Sequence, residues 1–372
     1  MIPQIDLVRQ HAALAGELLA AAARVLASSR FILGPEVKAL ESELASLGGA
    51  RHGIGLNSGT DALLLALKAV GVGPGDEVIT SAFSFVASAS TVVMIGAVPV
   101  FVDIDPETYN LDPQRLEAAV TPRTRAVVPV HLYGQPAAMD EIEAIARRRG
   151  LAVVADAAQA VGASYGGRPI AAWGDASTLS FYPTKNLGGC GDGGMVLTTR
   201  DDVAERVRLL RDHGSSRKYV HIELGYSSRL DELQAALLRV KLTHLAEWTD
   251  ARRRLAARYR DGLAGTGLGL PAERPPACHV YHQFAVRAPR RDALAAALAA
   301  LGVGTSVHYP TILPCQPLFS RPGAERNFPH AAQAATEMLG LPCFPEITDQ
   351  EIDTVVSAVR QAVATAGFVH GL

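Results

Sequence analysis

One lysine stands where an amine can become a nucleophile. Lys185 follows the apolar run Ala176–Phe181 across the loop Tyr182-Pro183-Thr184, and a glycine-rich run, Gly188-Gly-Cys-Gly-Asp-Gly-Gly194, comes next. Partial burial at a strand end disfavours the charged form of an amine, so the free base can condense with a carbonyl. Glycines beyond it let backbone approach a ligand closely. The four other lysines are placed differently. Lys38, Lys68 and Lys241 fall in helical patterns and read as exposed, solvated side chains. Lys218 lies in the polar loop Ser215-Ser-Arg-Lys-Tyr219. By itself Lys185 reads equally well as a loop residue, so its chemistry depends on partners.

Three other stretches offer them. Asp156 closes the run Leu151–Ala155, 29 residues before Lys185. An acid there falls at the carboxyl edge of a sheet, where it either pairs with a protonated ring nitrogen or caps the next turn. Gln159 lies three residues on, within amide reach of the same ligand. Asn57-Ser-Gly-Thr-Asp61 leads into the apolar run Ala62–Leu67. Free amides and the positive end of a helix dipole suit a phosphate there, with simple N-capping as the alternative. No Gly-Lys-Ser/Thr follows, so it is not a P-loop. Phe85, just past a strand end, either stacks on a planar ring or fills the core. An amine, an acid for a ring nitrogen, a phosphate cradle and a stacking ring are together what pyridoxal phosphate requires.

Elements must hold these residues at one sheet edge. Candidate strands are Glu77–Thr80, Pro99–Asp103, Arg125–His131, Ala152–Asp156, Ala176–Phe181 and Gly194–Thr198. Candidate helices between or beyond them are Asp61–Val70, Val86–Ile95, Pro113–Val120, Met139–Arg149 and Asp201–Asp212. Continuous apolar strands alternating with helices predict a mainly parallel sheet covered on both faces, with ligands at the carboxyl ends of its strands. An amphipathic helix with Leu7, Leu14, Leu18, Leu19 and Val25 precedes this region, and Glu36–Leu47 reads as a short charged helix. A long helical stretch from Arg229 to about Leu263 follows it. Beyond Pro271, Pro275 and Pro276 the tail mixes a strand-like His279–Val286 with helix-like Asp292–Leu301 and Asp349–Ala366, as a smaller α+β domain would.

Composition narrows the class. At 372 residues with 48% apolar and 19% charged content, the chain reads as one large or two moderate globular domains. A net charge of −2 leaves no footprint for nucleic acid or an anionic membrane. The four cysteines have no CxxC spacing, so reduced cytosolic thiols are expected rather than a metal site or disulfides. The first residues carry no basic, apolar leader pattern, which adds to a cytoplasmic expectation. The charge-free span Val78–Val102 contains serines, Gly96 and Pro99 and divides into strand, helix and strand rather than a membrane span.

Several stretches resemble one family in order along the chain. Asn57–Leu63, Gly73–Ile79, Pro129–Gly134, Asp156–Gln159, Ser180–Asn186, Gly191–Gly194 and Ser228–Ala235 resemble the DegT/DnrJ/EryC1/StrS sugar aminotransferases. The resemblance implies an α/β fold of fold type I. A mainly parallel seven-stranded sheet would lie in a large domain over residues 1–250 with an N-terminal helical arm, and a smaller α+β domain would cover 251–372. It implies pyridoxal 5'-phosphate, L-glutamate as donor, a nucleotide-linked keto-sugar as acceptor, and a homodimer with active sites shared across the interface. Lys185 would carry the cofactor, Asp156 would bind the pyridinium nitrogen and Gln159 the ring-hydroxyl side. Gly59, Thr60 and Ser180 would hold the phosphate, and Phe85 would stack on the ring. Family members usually place an asparagine where this chain has Ser227, to reach the partner subunit's cofactor phosphate; the shorter serine would reach it through water. A lysine at 185, where dehydratase relatives have histidine, implies amino transfer. Gly302–Pro310 resembles members acting at sugar C-3, which makes His308 and Tyr309 either substrate contacts or a packed domain junction. The polar, basic loop His213–His221 with Lys218 either closes over the nucleotide or sugar or is solvated surface, and Arg229 either meets a sugar carboxylate or pairs with Asp231 or Glu232. A 4-keto sugar, a cyclitol or another fold type I reaction is the alternative.

Overall fold

Seven short strands form the central sheet of the computed structural model, which describes residues 1–319 and 323–365. Their order in space is His52–Leu56, Gly194–Thr198, Ala176–Ser180, Ala152–Asp156, Thr124–Val128, Glu77–Ser81 and Val98–Val102. Gly194–Thr198 runs antiparallel to both neighbours, and the other pairings are parallel. The inner strands are apolar at successive positions because helices cover both faces. On one face Leu63, Val92, Val203 and Leu210 from three helices pack on Ile54, Val78, Val154 and Val196. On the other, Leu40, Leu44, Met139, Ile142 and Leu238 pack on Ile79, Val127 and Val153. The mainly parallel sheet expected from the alternating pattern is present.

The differences have local causes. The strand His52–Leu56 escapes the sequence pattern because His-Gly-Ile-Gly-Leu carries two glycines, which disfavour strands. Tertiary contact requires them: a Cβ on Gly53 would lie 2.4 Å from the Glu41 carbonyl oxygen in the helix Pro35–Leu47. The single helix expected over Arg229–Leu263 is two, Glu232–Leu242 and Leu245–Leu263, separated at Thr243-His244. Pro113–Val120 is one short α-helical turn followed by a 3-10 turn, Glu117–Ala119. Leu19 of the N-terminal helix Leu7–Ser28 faces outward at 72% exposure, while Leu14, Leu18 and Val25 are buried.

In the C-terminal part, Phe284–Arg287 pairs antiparallel with Met338–Leu341. The expected strand begins later than His279 because the preceding backbone bonds the sheet edge instead, with Val280 N–H on Gly134 O and Gln283 N–H on Tyr133 O. Leu255, Tyr259 and Leu263 join this C-terminal core, whereas Leu245 belongs to the sheet core, so position 250 falls inside one continuous helix. The helix Asp349–Thr365 matches its expected start; Ala366 lies outside the described residues. Among the described residues no helix is long and apolar enough to cross a membrane. The charge-free 78–102 span is indeed strand, helix and strand.

Lys241 overturns its reading as a solvated helix lysine. Its residue is fully buried, with Nζ 2.8 Å from the Gly188 carbonyl oxygen and 2.9 Å from His11 Nε2. Burial pulls its pKa down, opposed by nearby Cys190 and Glu346. The side chain ties the N-terminal helix and the helix Glu232–Leu242 to the glycine run after Lys185. Removing it strands the buried Gly188 carbonyl and takes a partner from half-buried His11. Lys241→Ala should lower unfolding free energy by about 2–4 kcal/mol in urea melts; an unchanged midpoint would contradict this tie.

Candidate active site

The strand Ala176–Ser180 delivers Lys185 through a tight loop. Phe181 N–H donates to Gly193 O at 2.8 Å, and Gly189 N–H donates back to Phe181 O at 2.7 Å. Lys185 N–H closes a turn onto Tyr182 O at 2.8 Å. Gly188 permits the closure, since a Cβ there would lie 2.1 Å from the Pro183 carbonyl oxygen. Lys185 thereby faces a cavity of about 470 Å³ at the carboxyl ends of the strands, the place expected for a ligand of such a sheet. Burial pulls its pKa from 10.5 to about 8, against the pull of Asp156 upward.

Asp156 ends the neighbouring strand and lines the same cavity at 6% exposure. Ala158 N–H donates to its Oδ1 at 3.1 Å. Burial pushes the carboxyl up, opposed by that amide and by the charge of Lys185. A cationic group brought against it would favour the carboxylate. Gln159 also lines the cavity, and both ends of its amide are used. Oε1 accepts from Tyr133 N–H at 2.6 Å and Nε2 donates to Tyr309 Oη at 3.2 Å. These two bonds orient the amide and leave Nε2 a second N–H and Oε1 a second lone pair.

The helix Gly59–Ala69 starts at the cavity wall. Ser58 caps it by accepting from Asp61 N–H at 3.1 Å, which places the amides of Gly59 and Thr60 at the helix start beside Ser180. A Cβ on Gly59 would stand 2.6 Å from Ser180 Cβ, and one on Gly194 2.3 Å from Ser58 O, so only bare backbone fits. Phe85 lines the cavity with its ring 6.0 Å from that of Tyr309, and His308 joins them.

Three expected residues stand outside this chain's cavity. Ser227 Oγ accepts from Arg229 at 2.9 Å, and Arg229 pairs with Asp212. Lys218 extends from an exposed hairpin, its Nζ 5.2 Å from the Tyr219 ring centroid. Conversely, Tyr133, His282 and Thr184 line the cavity without having been singled out. Asn186, beside Lys185, donates through Nδ2 to Val280 O and accepts through Oδ1 from His282 Nδ1, both at 3.1 Å. Tyr133 and Asn186 lie inside motifs already noted; His282 carries no local signal.

The cavity fits a phosphorylated, aldehyde-bearing ring on this chain's own geometry. A helix start held open by Gly59 would meet the phosphate, buried Asp156 would meet a ring nitrogen, and the low-pKa amine of Lys185 would meet the aldehyde.

The comparisons agree with this chemistry. Residues 13–360 match the model of the DegT/DnrJ/EryC1/StrS aminotransferase family. A "Pleiotropic regulatory protein" of Geobacillus stearothermophilus is 50% identical, covering 97% of this chain and 98% of that one. The UDP-N-acetyl-3-dehydro-alpha-D-glucosamine 3-aminotransferase of Acidithiobacillus ferrooxidans is 45% identical over 97% and 98%. The dTDP-3-amino-3,4,6-trideoxy-alpha-D-glucose transaminase of Streptomyces venezuelae is 46% identical over 97% and 96%. The crystal structure of S. venezuelae DesV in complex with ketimine intermediate superposes with a TM-score of 0.95 at 46% identity, covering 97% and 98%.

Two titrations test the site. Uptake of pyridoxal phosphate by cofactor-free protein, followed by absorbance, should accelerate as pH rises through about 8 and level off above it, because only the neutral amine condenses. Asp156→Asn removes a charge that raises Lys185, so its midpoint should fall lower; a midpoint near 10.5 in the unaltered chain would contradict the burial of the amine. Gly59→Ala should weaken uptake about tenfold or more, because its methyl group enters the space of Ser180.

Proposed function

The chain belongs to the DegT/DnrJ/EryC1/StrS aminotransferase family, and on that premise we propose that it carries an amino group from L-glutamate to carbon 3 of a nucleotide-linked keto-sugar. It is a pyridoxal-phosphate-dependent aminotransferase. The observation that carries the site assignment is the amine of Lys185 and the buried carboxyl of Asp156 on one cavity wall. Bound pyridoxal phosphate supplies an electron sink beside the carbon that changes its nitrogen.

The chain's residues then divide the work. Lys185 Nζ holds the cofactor and, once released, takes a proton from one carbon and returns it to another as general base and acid. Asp156 holds positive charge at the ring nitrogen. The Gly59 and Thr60 amides and Ser180 Oγ bind the phosphate, with the helix dipole in support. Phe85 covers one ring face, and Gln159, which donates through Nε2 to Tyr309 Oη, meets the ring-hydroxyl side with its second N–H. His308 and Tyr309 face the sugar.

The position on the sugar is supported by the names of two relatives, both of which specify a 3-amino or 3-dehydro sugar. Cytoplasmic residence is part of the same proposal. So is a homodimer. The segment carrying Lys218, Ser227 and Arg229 also exposes Tyr219 and Leu224, each at 84%. Apolar exposure of that kind marks a contact surface. Seated on a second copy, this segment brings its polar side chains toward the neighbour's cavity, where Ser227 meets the cofactor phosphate through water and Lys218 and Arg229 meet the nucleotide or sugar.

The reading is tested by titrating the amino form of the enzyme with 3-keto and 4-keto nucleotide sugars while following the cofactor spectrum. A response to the 3-keto sugar, absent in Lys185→Ala, is expected. A selective response to the 4-keto sugar would overturn the C-3 assignment, and sustained turnover by Lys185→Ala would overturn the role of the amine.

A further inference from the structure

Tyr133 makes an unusual set of bonds for a residue outside the reacting groups. It leaves the strand Thr124–Val128 in the turn Leu132–Gly134, with φ 58° in the left-handed region and only 5% exposure. Bulky residues are uncommon there and persist where several contacts fix them. Here the contacts come from three directions. Its N–H donates to Gln159 Oε1 at 2.6 Å, and its carbonyl accepts from Gln283 N–H at 3.2 Å. Its hydroxyl donates to the carbonyl oxygen of His308.

The last bond falls in the middle of a span. The backbone around His308 is anchored on one side by the paired amides and carbonyls of Ser306 and Gly340, at 3.1 and 2.8 Å. On the other side Leu313 N–H donates to Ala82 O at 2.8 Å. Between these anchors, Tyr133 reaches the His308 carbonyl directly and Tyr309 Oη through Gln159 Nε2 at 3.2 Å. Both neighbouring side chains that line the cavity, His308 and Tyr309, are therefore tied to one residue of the turn Leu132–Gly134. Tyr133 itself stacks edge-on against Tyr109, with centroids 6.3 Å apart, so its ring has little freedom.

We infer that Tyr133 is a positioning residue: through its hydroxyl and through Gln159 it sets His308 and Tyr309 at the acceptor end of the cavity and so controls the sugar half-reaction. This rests on the reading above that His308 and Tyr309 face the sugar. Loss of the hydroxyl leaves the ring, the Gln159 bond and the Lys185 loop in place, and frees only the 307–312 span.

Tyr133→Phe holoenzyme tests it with two measurements. In hydrogen exchange, the anchoring amides of Ser306 and Leu313, bonded to Gly340 O and Ala82 O, should exchange about tenfold faster than in the unaltered protein, while those of 152–158 and 176–185 keep their protection. In separated half-reactions, kcat/KM for the 3-keto nucleotide sugar should fall about tenfold to hundredfold, with the glutamate half-reaction within about threefold. Unchanged exchange at Ser306 and Leu313, or faster exchange everywhere, would overturn the positioning role. An equal fall in both half-reactions, or in neither, would overturn control of the sugar step. If the unaltered enzyme accepts no nucleotide sugar at all, the acceptor assignment fails by itself, and the exchange measurement still decides whether Tyr133 holds the span.

Discussion

Burial sets Lys185 and Asp156 each against its own charge, and the two share one cavity. Desolvation lowers the amine to about 8 and raises the carboxyl, while each charge partly relieves the other. That mutual tuning needs both groups at strand ends inside a covered sheet. A surface lysine would stay protonated, and an exposed carboxylate would lose its hold on a ring nitrogen to water. The sheet order meets this need directly, because Ala152–Asp156 and Ala176–Ser180 are adjacent and parallel.

The loops around this pair are held rather than left to relax. Gly188 packs against Pro183, and Lys241 grips the Gly188 carbonyl from behind. Asn186 and His282 lock the far side of the lysine loop. Burial holds His282 well below its ordinary value, so it stays neutral with its proton on Nδ1 toward Asn186. Tyr133 and Gln159 extend the same support to His308 and Tyr309. A site of this kind depends on the shell behind the reacting groups for its geometry.

Much of this was legible because the chemistry and the backbone signals coincide. Lys185 and Asp156 follow apolar runs and the Gly59–Thr60 helix start opens one, so the alternating pattern that gives the fold also places the site. The strand His52–Leu56 was hidden because its glycines answer to Glu41 across space, not to strand preference. Lys241 was misread because a buried lysine and a solvated one have the same helical spacing; only the Gly188 carbonyl and His11 distinguish them. His282 was invisible because its partner, Asn186, is 96 residues away in sequence. Ser227, Lys218 and Arg229 are sequence candidates that a single chain does not bring to its own cavity.

One atom carries the chemistry, the Nζ of Lys185. Borohydride reduction of the cofactor-loaded enzyme, followed by tryptic digestion and mass spectrometry, locates the amine that holds pyridoxal phosphate. A single reduced adduct is expected, on the peptide that carries Lys185. An adduct on the peptide of Lys218 or Lys241 in its place, or no adduct on any lysine, would contradict it.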